Sequence, residues 1–365
     1  MKAIVDAKEF SQALNRVIKV IKKSTIPALE GVLVQIKDDR CTLFATNFTT
    51  WLSVTIPAIG DDLGFVFQRP KDTARACGHF DGQLLLEAEE KDNGKDRWTQ
   101  LTMFCGVRAA ELRAFLEEDY PVLPEHKARY TYTVNAAGLL ERVNHVKYAL
   151  RKPDLDSKSI FTHVQFDGNK VFALDGCRLA WDVDDSLTVH QPFMVPPDAL
   201  EYLKFFNDQE ITVSMGERYL QITDGTTTIL TRIEGPAVFE MDRVVPKEFL
   251  EEFYIFPKDF LQELDYLKRL SSDETRPCIY SAGGKLMLRT ASGQYCTKIQ
   301  VEGDSSVGFA VVLHNMVDAL QQFRGKGRVK VKVNSSLAPI VLEAEGRSDF
   351  ALVMPTRFRP VSKAA

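Results

Sequence analysis

The stretch FALDGCRLAW, residues 172–181, and the closing strand FALVMPTRF, residues 350–358, decide how this chain is read. In the first, an apolar strand runs into Asp175-Gly176, which is turn chemistry, and Cys177, Arg178 and Leu179 open a second strand. The second is an apolar strand stopped at Pro355, whose nitrogen carries no hydrogen for a ladder. Taken alone, each is a strand and a turn, as most such segments are.

Working outward, the same order of elements recurs three times. Residues 2–5 read as a strand, and Phe10, Ala13, Leu14, Val17, Ile18 and Ile21 then form a helical stripe. Strands follow at 31–37 and 41–46, a helix starts at Arg69-Pro70, and 84–89 with 99–105 form a hairpin around the polar insert 90–98. The second copy has a strand at 130–134, a helix capped by Asn135, strands at 160–166 and 171–175, and a helix over 198–206. The third has a strand at 253–256, a helix from Pro257 and a helix over 314–323. Phe10, Leu139 and Phe260 hold one equivalent place, and Ala74, Leu200 and Val317 another. The reading is an α+β protein of three repeated domains, 1–125, 129–246 and 253–358, with a short tail at 359–365.

A chain of 365 residues is too long for one core, which agrees with several domains. With 45% hydrophobic and 26% charged residues it has a soluble globular composition. No apolar run approaches ~18 residues, and Lys2 follows Met1 at once, so no membrane span or signal peptide is expected and the location is cytoplasmic. Six scattered cysteines form no C-x-x-C pair, so neither metal nor cofactor is expected.

Charge is unevenly placed. The six helical segments, 6–23, 69–80, 135–152, 197–206, 257–270 and 314–328, hold 19 Lys and Arg against 10 Asp and Glu. The remainder holds 27 basic and 40 acidic residues. Solvated helix faces often favour Lys and Arg, but the bias over the whole chain also suits helices that attract phosphates without reading bases.

Four motifs in order resemble one family. They are A-L-D-G-C-R-L (173–179), D-Y-P (119–121), M-D-R-V-V-P (241–246) and V-M-P-T-R (353–357). With the threefold repeat, the chain resembles the bacterial sliding clamp, the beta subunit of DNA polymerase III, over residues 1 to about 358. The resemblance implies a head-to-tail homodimer, a ring of six domains that encircles duplex DNA and tethers the polymerase without catalysing anything. It implies as partners the polymerase III catalytic subunit, clamp-loader subunits and other proteins bearing a clamp-binding motif. Carried over by position, the partner pocket is walled by Ile160, Leu174, Gly176, Cys177, Arg178, Leu179, Arg243, Val244, Leu337, Val353, Met354, Pro355 and Thr356. Lys19, Lys23, Arg151 and Lys152 would face DNA, and Leu112 and Leu270 would lie at the dimer interface. The chain departs from the family pattern at Cys177 (usually His), Leu174 (often Thr) and Phe239 (often Pro), which implies a more apolar pocket.

Two other readings compete. Cys177 as an enzyme nucleophile needs a base; His145, His163 and His190 are near in sequence, but none sits in a recognised signature. A DNA-binding scaffold with the same domains but no ring would bind linear and circular DNA alike.

Overall fold

Asp6 opens the first helix by accepting the backbone N–H of Glu9 at 2.9 Å, satisfying a donor that a helix start leaves free. Phe10, Ala13, Leu14 and Val17 then fall on one buried face. The helix ends in a tighter 3₁₀ turn, Ile18–Val20, and this shifts the stripe: Val20 is buried, while Ile18 and Ile21 are half-buried.

The computed structural model describes residues 1–154, 156–235, 239–270, 278–282, 285–289, 295–299, 301–303, 306–325 and 327–357, with backbone alone at 270, 278–282, 285–287 and 289. In chain order its strands are β1 (Lys2–Asp6), β2 (Val32–Lys37), β3 (Arg40–Thr46), β4 (Thr50–Gly60), β5 (Leu63–Phe67), β6 (Gln83–Asp92), β7 (Arg97–Cys105), β8 (Arg108–Leu116) and β9 (Tyr130–Asn135). Next come β10 (Val164–Gly168), β11 (Lys170–Leu174), β12 (Arg178–Val183), β13 (Val189–Val195), β14 (Glu210–Met215), β15 (Tyr219–Thr223), β16 (Thr227–Arg232) and β17 (Glu251–Ile255). The last are β18 (Cys278–Ala282), β19 (Lys285–Arg289), β20 (Cys296–Ile299), β21 (Val301–Glu302), β22 (Phe309–Val311), β23 (Val329–Val333), β24 (Ile340–Ala344), β25 (Asp349–Val353) and β26 (Pro355–Thr356). The α-helices are α1 (Ala7–Val17), α2 (Pro70–Cys77), α3 (Ala136–Val146), α4 (Ser159–Thr162), α5 (Pro197–Leu200), α6 (Pro257–Leu270) and α7 (Leu313–Gln321). Among the described residues no helix is long and apolar enough to cross a membrane.

The chain packs as two units, residues 1–137 with 201–233, and residues 138–200 with 234–365. In the first, β1 pairs with both β6 and β4, so the order β1-β6-β7-β8-β5-β2-β3-β4 returns on itself as a ring of eight strands. Among the described residues, 108–113 of β8 have ladder partners on β7 alone, because β5 pairs only with residues 114–116. From β4 the sheet continues through β16, β15, β14 and β9. Phe10 of α1 meets the ring of Phe67 edge-on at 6.3 Å, locking helix to sheet. The polar insert 90–98 is mostly strand: β6 and β7 stay paired out to Asp92 and Arg97. Two things hold it there: Asn93 accepts the N–H groups of Lys95 and Asp96, and Arg97 pairs with Glu90 and Glu118.

The second unit holds a nine-stranded sheet, β13-β10-β11-β12-β25-β24-β23-β17-β21, and a five-stranded one, β20-β19-β18-β22-β26. Phe260, Leu264 and Leu267 of α6 and Met316, Ala319 and Leu320 of α7 share one core with Ile340, Leu342, Ala351 and Val353. The strand expected over 160–166 is shorter. Residues 159–162 make a helical turn, closed by the His163 N–H on the Ser159 carbonyl and by the Gln165 side chain on the Ile160 carbonyl. Phe10, Leu139 and Phe260 are all buried, as their equivalent places require.

The join that matters most is β12 to β25, two strands far apart in sequence, paired from Arg178–Val353 to Asp182–Asp349. Asp182 is fully buried there, 2.6 Å from His145 Nδ1 of α3, and accepts the Ser348 hydroxyl at 2.7 Å. Burial alone would raise its carboxyl pKa, but the His145 and Ser348 hydrogen bonds and the Arg142 guanidinium outweigh that and hold it below the ordinary value. A folded pKa below the unfolded one gives stability that is present above pH ~4 and lost as pH falls through the folded value. The urea midpoint of the second unit should therefore fall steeply below pH ~4. Asp182→Asn should lower that midpoint at neutral pH by the equivalent of about 3 kcal/mol and flatten the acid limb, both read from urea titrations at stepped pH.

Candidate functional site

Asp175 shapes the most organised turn in the second unit. Its Oδ1 accepts the backbone N–H groups of Cys177 and Arg178, both at 2.8 Å, and its Oδ2 accepts Arg178 Nε at 3.0 Å and the second guanidinium nitrogen at 2.8 Å. Gly176 sits at φ +91°, where a Cβ would be strained. The buried Arg178 guanidinium also pairs with Asp318 of α7, so the turn is tied to the helical layer. The N–H of Met354 donates to the Cys177 carbonyl at 2.8 Å, which docks the end of β25 onto the same turn.

Side-chain alternation then separates two faces. Phe172 and Leu174 of β11, Leu179 and Trp181 of β12, Val341 of β24 and Leu352 of β25 gather on the face away from α6 and α7, together with Met241. Half-buried Phe161, Phe239, Val244, Val245, Phe249, Phe350 and Met354 pack around them. Trp181 stacks on Phe350 with centroids 5.1 Å apart. This is a long apolar strip on an outer sheet face: its floor is at most 7% exposed, the half-buried side chains around it reach solvent, and the polar turn at 175–178 flanks it. Such a surface suits a short segment with bulky side chains; each Leu or Phe buried there contributes ~1.5–3 kcal/mol.

Most of the residues singled out from the sequence come together here. Leu174 and Leu179 floor the strip, Val244 and Met354 edge it, and Gly176 and Cys177 are exposed in the turn. Ile160 is half-buried in the helical turn before β10, Arg243 is exposed and ion-paired with Glu240, and Leu337 is 61% exposed in the turn before β24. Pro355 and Thr356 leave the strip to pair with β22. Val353 faces the other way. It points to the opposite face and is fully buried with Ile340 and Leu342, because it is one residue out of phase with Leu352, which occupies the strip instead. Sequence reasoning also missed Trp181, Phe350, Phe161 and Met241; the period of two running from Leu179 to Trp181 and from Phe350 to Leu352 was the signal available for the first two.

Arg151 is exposed, but its guanidinium donates to the Asp175 carbonyl at 3.1 Å and lies 5.2 Å over the Phe161 ring. It therefore borders the strip rather than standing apart as a free cation. Lys19, Lys23 and Lys152 are exposed. Leu112 is half-buried on β8 opposite Leu101; the side chain of Leu270, and the tail from Phe358 on, lie outside the described residues. The cysteine-enzyme reading finds no geometry: His145 is held by Asp182 and His163 stands 2.9 Å from the Thr162 hydroxyl, while His190 is exposed on β13. Among the described residues no group of His, Cys, Asp and Glu is arranged to hold a metal.

No family model matches the chain. Two curated relatives do, along nearly its whole length: the beta sliding clamps of Chlamydia muridarum, 20% identical over 98% of this chain and 99% of the relative, and of Chlamydia trachomatis, 21% identical over 98% and 87%. Among solved structures, a putative DNA polymerase III beta subunit from Eubacterium rectale aligns with TM-score 0.85 at 16% identity, covering 98% of this chain and all of the other. The DNA polymerase III beta subunits of Pseudomonas aeruginosa and Streptococcus pyogenes align equally well, with TM-scores of 0.85 and 16% identity. This chain has the sliding-clamp fold. Similarity this low in identity and complete in length means that strand order and core periodicity persist where side chains have changed.

Asp175→Ala removes the acceptor of two backbone N–H groups and one partner of a buried guanidinium. It should cost about 3 kcal/mol in urea unfolding, with Asp175→Asn costing less because its side-chain oxygen still accepts the turn amides.

Proposed function

We propose that this chain is a sliding clamp, a non-enzymatic processivity factor that encircles duplex DNA as a homodimeric ring and tethers a replicative polymerase. The observation that carries the reading is the apolar strip beside the Asp175 turn, on a chain similar to beta sliding clamps from end to end. The strip takes a short segment of the polymerase III catalytic subunit, of clamp-loader subunits or of other motif-bearing proteins. Leu and Phe side chains seat against the half-buried Val244, Phe350 and Met354, over the buried Leu179 and Leu352, and the polar turn and Arg151 orient the backbone. Tethering acts through effective concentration: a polymerase that lets go of its template stays beside it.

In this reading the chain has three domains, 1–125, 129–246 and 253–358. Ring closure joins the open stretch of β8, residues 108–113, to the edge strand β20 of a second copy, with Leu112 and Leu270 nearby. Pairing two open edges also removes a template for aggregation. The basic helices, with Lys19, Lys23 and Lys152, face phosphates, so contact with DNA is independent of sequence and weakens with salt. No chemistry occurs on the clamp, no cofactor is needed, and the protein works in the cytoplasm, where the chromosome is copied.

Sedimentation velocity should give a species of twice the 41.2 kDa chain mass with raised friction. A monomer at every concentration would remove the ring and leave the scaffold. Met354→Asp places a charge on the strip and should weaken binding of a peptide bearing a Gln and bulky apolar residues by about a hundredfold while leaving the dimer intact, read by fluorescence anisotropy beside sedimentation. Unchanged peptide affinity would refute the strip as the partner site.

A further inference from the structure

In the first unit, strand alternation sends Ala3 and Val5 of β1, Leu84 and Leu86 of β6 and Met103 of β7 into the core, so the residues between them point outward. Antiparallel register then sets five outward residues on one line. Ile59 of β4 is opposite Ile4 of β1, and Ile4 is opposite Leu85 of β6. Leu85 is in turn opposite Phe104 of β7, and Phe104 is opposite Ala109 of β8. Directly opposed residues share a face with their Cβ atoms about 5 Å apart, so the five make one apolar row across five strands, about 19 Å long along the sheet.

The row is open to water. Ile59 is 73% exposed and Phe104 39%, Ala109 is exposed, and Ile4 and Leu85 are half-buried. Single exposed apolar side chains are ordinary on a protein surface, but five in ladder register form a patch, and the core they could have joined lies on the other face. The flanking rows are polar: Asp6 and Gln83 on one side, and Asp61, Lys2, Glu87, Thr102 and Glu111 on the other. Lys2 is neutralised by Glu87 at 2.6 Å. Asp6, Asp61 and Glu111 are exposed and carry no ion pair among the described residues. A narrow apolar line therefore runs between margins whose unspent charge is negative.

We propose that this row is a docking surface for a basic segment of a partner protein, one that presents two or three bulky apolar side chains in line with Lys or Arg beside them. The apolar side chains seat on Ile59, Ile4, Leu85 and Phe104, and the cations reach Asp61 and Glu111. Charge decides between occupants: a second copy of this chain would set the same carboxylates against each other, and like charges oppose docking. The surface goes beyond the clamp reading, because it uses the first unit alone and involves neither the strip beside Asp175 nor the open edge of β8.

The test uses the full chain and a fluorescein-labelled heptapeptide, Lys-Leu-Arg-Phe-Lys-Leu-Arg, followed by anisotropy. Saturable binding is expected, weakened about tenfold by Ile59→Ser with Phe104→Ser and about threefold by Glu111→Lys. Met354→Asp and the matched control Glu210→Lys, an exposed strand carboxylate elsewhere in the first unit, should change it less than about twofold. Ile59, Phe104 and Glu111 are all exposed, and tryptophan fluorescence checks that the variants fold. Absence of saturable binding overturns the proposal. So does loss in Met354→Asp alone, which assigns the peptide to the first strip, or equal loss in Glu210→Lys, which makes the attraction general. Unchanged peptide affinity in Ile59→Ser with Phe104→Ser also overturns it, and a lowered sedimenting mass in that variant would make the row a contact between copies. A Gln-bearing apolar peptide run in parallel reports the first strip, and its failure counts against the clamp reading alone.

Discussion

The pairing of β12 with β25 is the constraint on which the second unit of this protein depends. Two strands some 170 residues apart share a five-residue register, from Arg178–Val353 to Asp182–Asp349. That register decides which side chains face the helices and which face outward. At one end, Asp175 and Arg178 fix the turn and anchor it to Asp318; at the other, Asp182 gathers His145 and Ser348. A slip of one residue would exchange Leu352 with Val353 between the two buried layers and remove the floor of the strip. Charged groups buried at both ends make such a slip costly, because each would lose its partner.

The same constraint explains how an apolar surface coexists with a well-packed fold. The inner face of the sheet is filled by α6 and α7, so the outer face carries no structural duty beyond its own packing. Trp181 stacks on Phe350 there, Phe172, Leu179 and Leu352 are buried beneath, and the half-buried Val244 and Met354 are among the residues that reach solvent.

Much was legible in the chain itself. Asp175-Gly176 announces a turn because carboxylate-to-amide bonding and positive φ each demand one residue type, and the threefold order of strand and helix follows from periods of two and 3.6. The stripe from Phe10 to Val17 and the buried places of Leu139 and Phe260 follow from the same periodicity. Less legible were features that depend on competition between local choices. Ile160 belongs to a helical turn because Gln165 and His163 close it, and the insert 90–98 is strand because Asn93 and Arg97 make a tight reversal possible.

By itself the sequence determined the elements, the repeat and the neighbourhood of the candidate surface, since these depend on spacing along one chain. Only the tertiary structure decided that Val353 packs toward α6 and α7 while Leu352 is buried on the opposite sheet face, and that Arg151 borders the strip. Those outcomes depend on register between distant strands and on which partner reaches a side chain first, and neither quantity is written in local sequence.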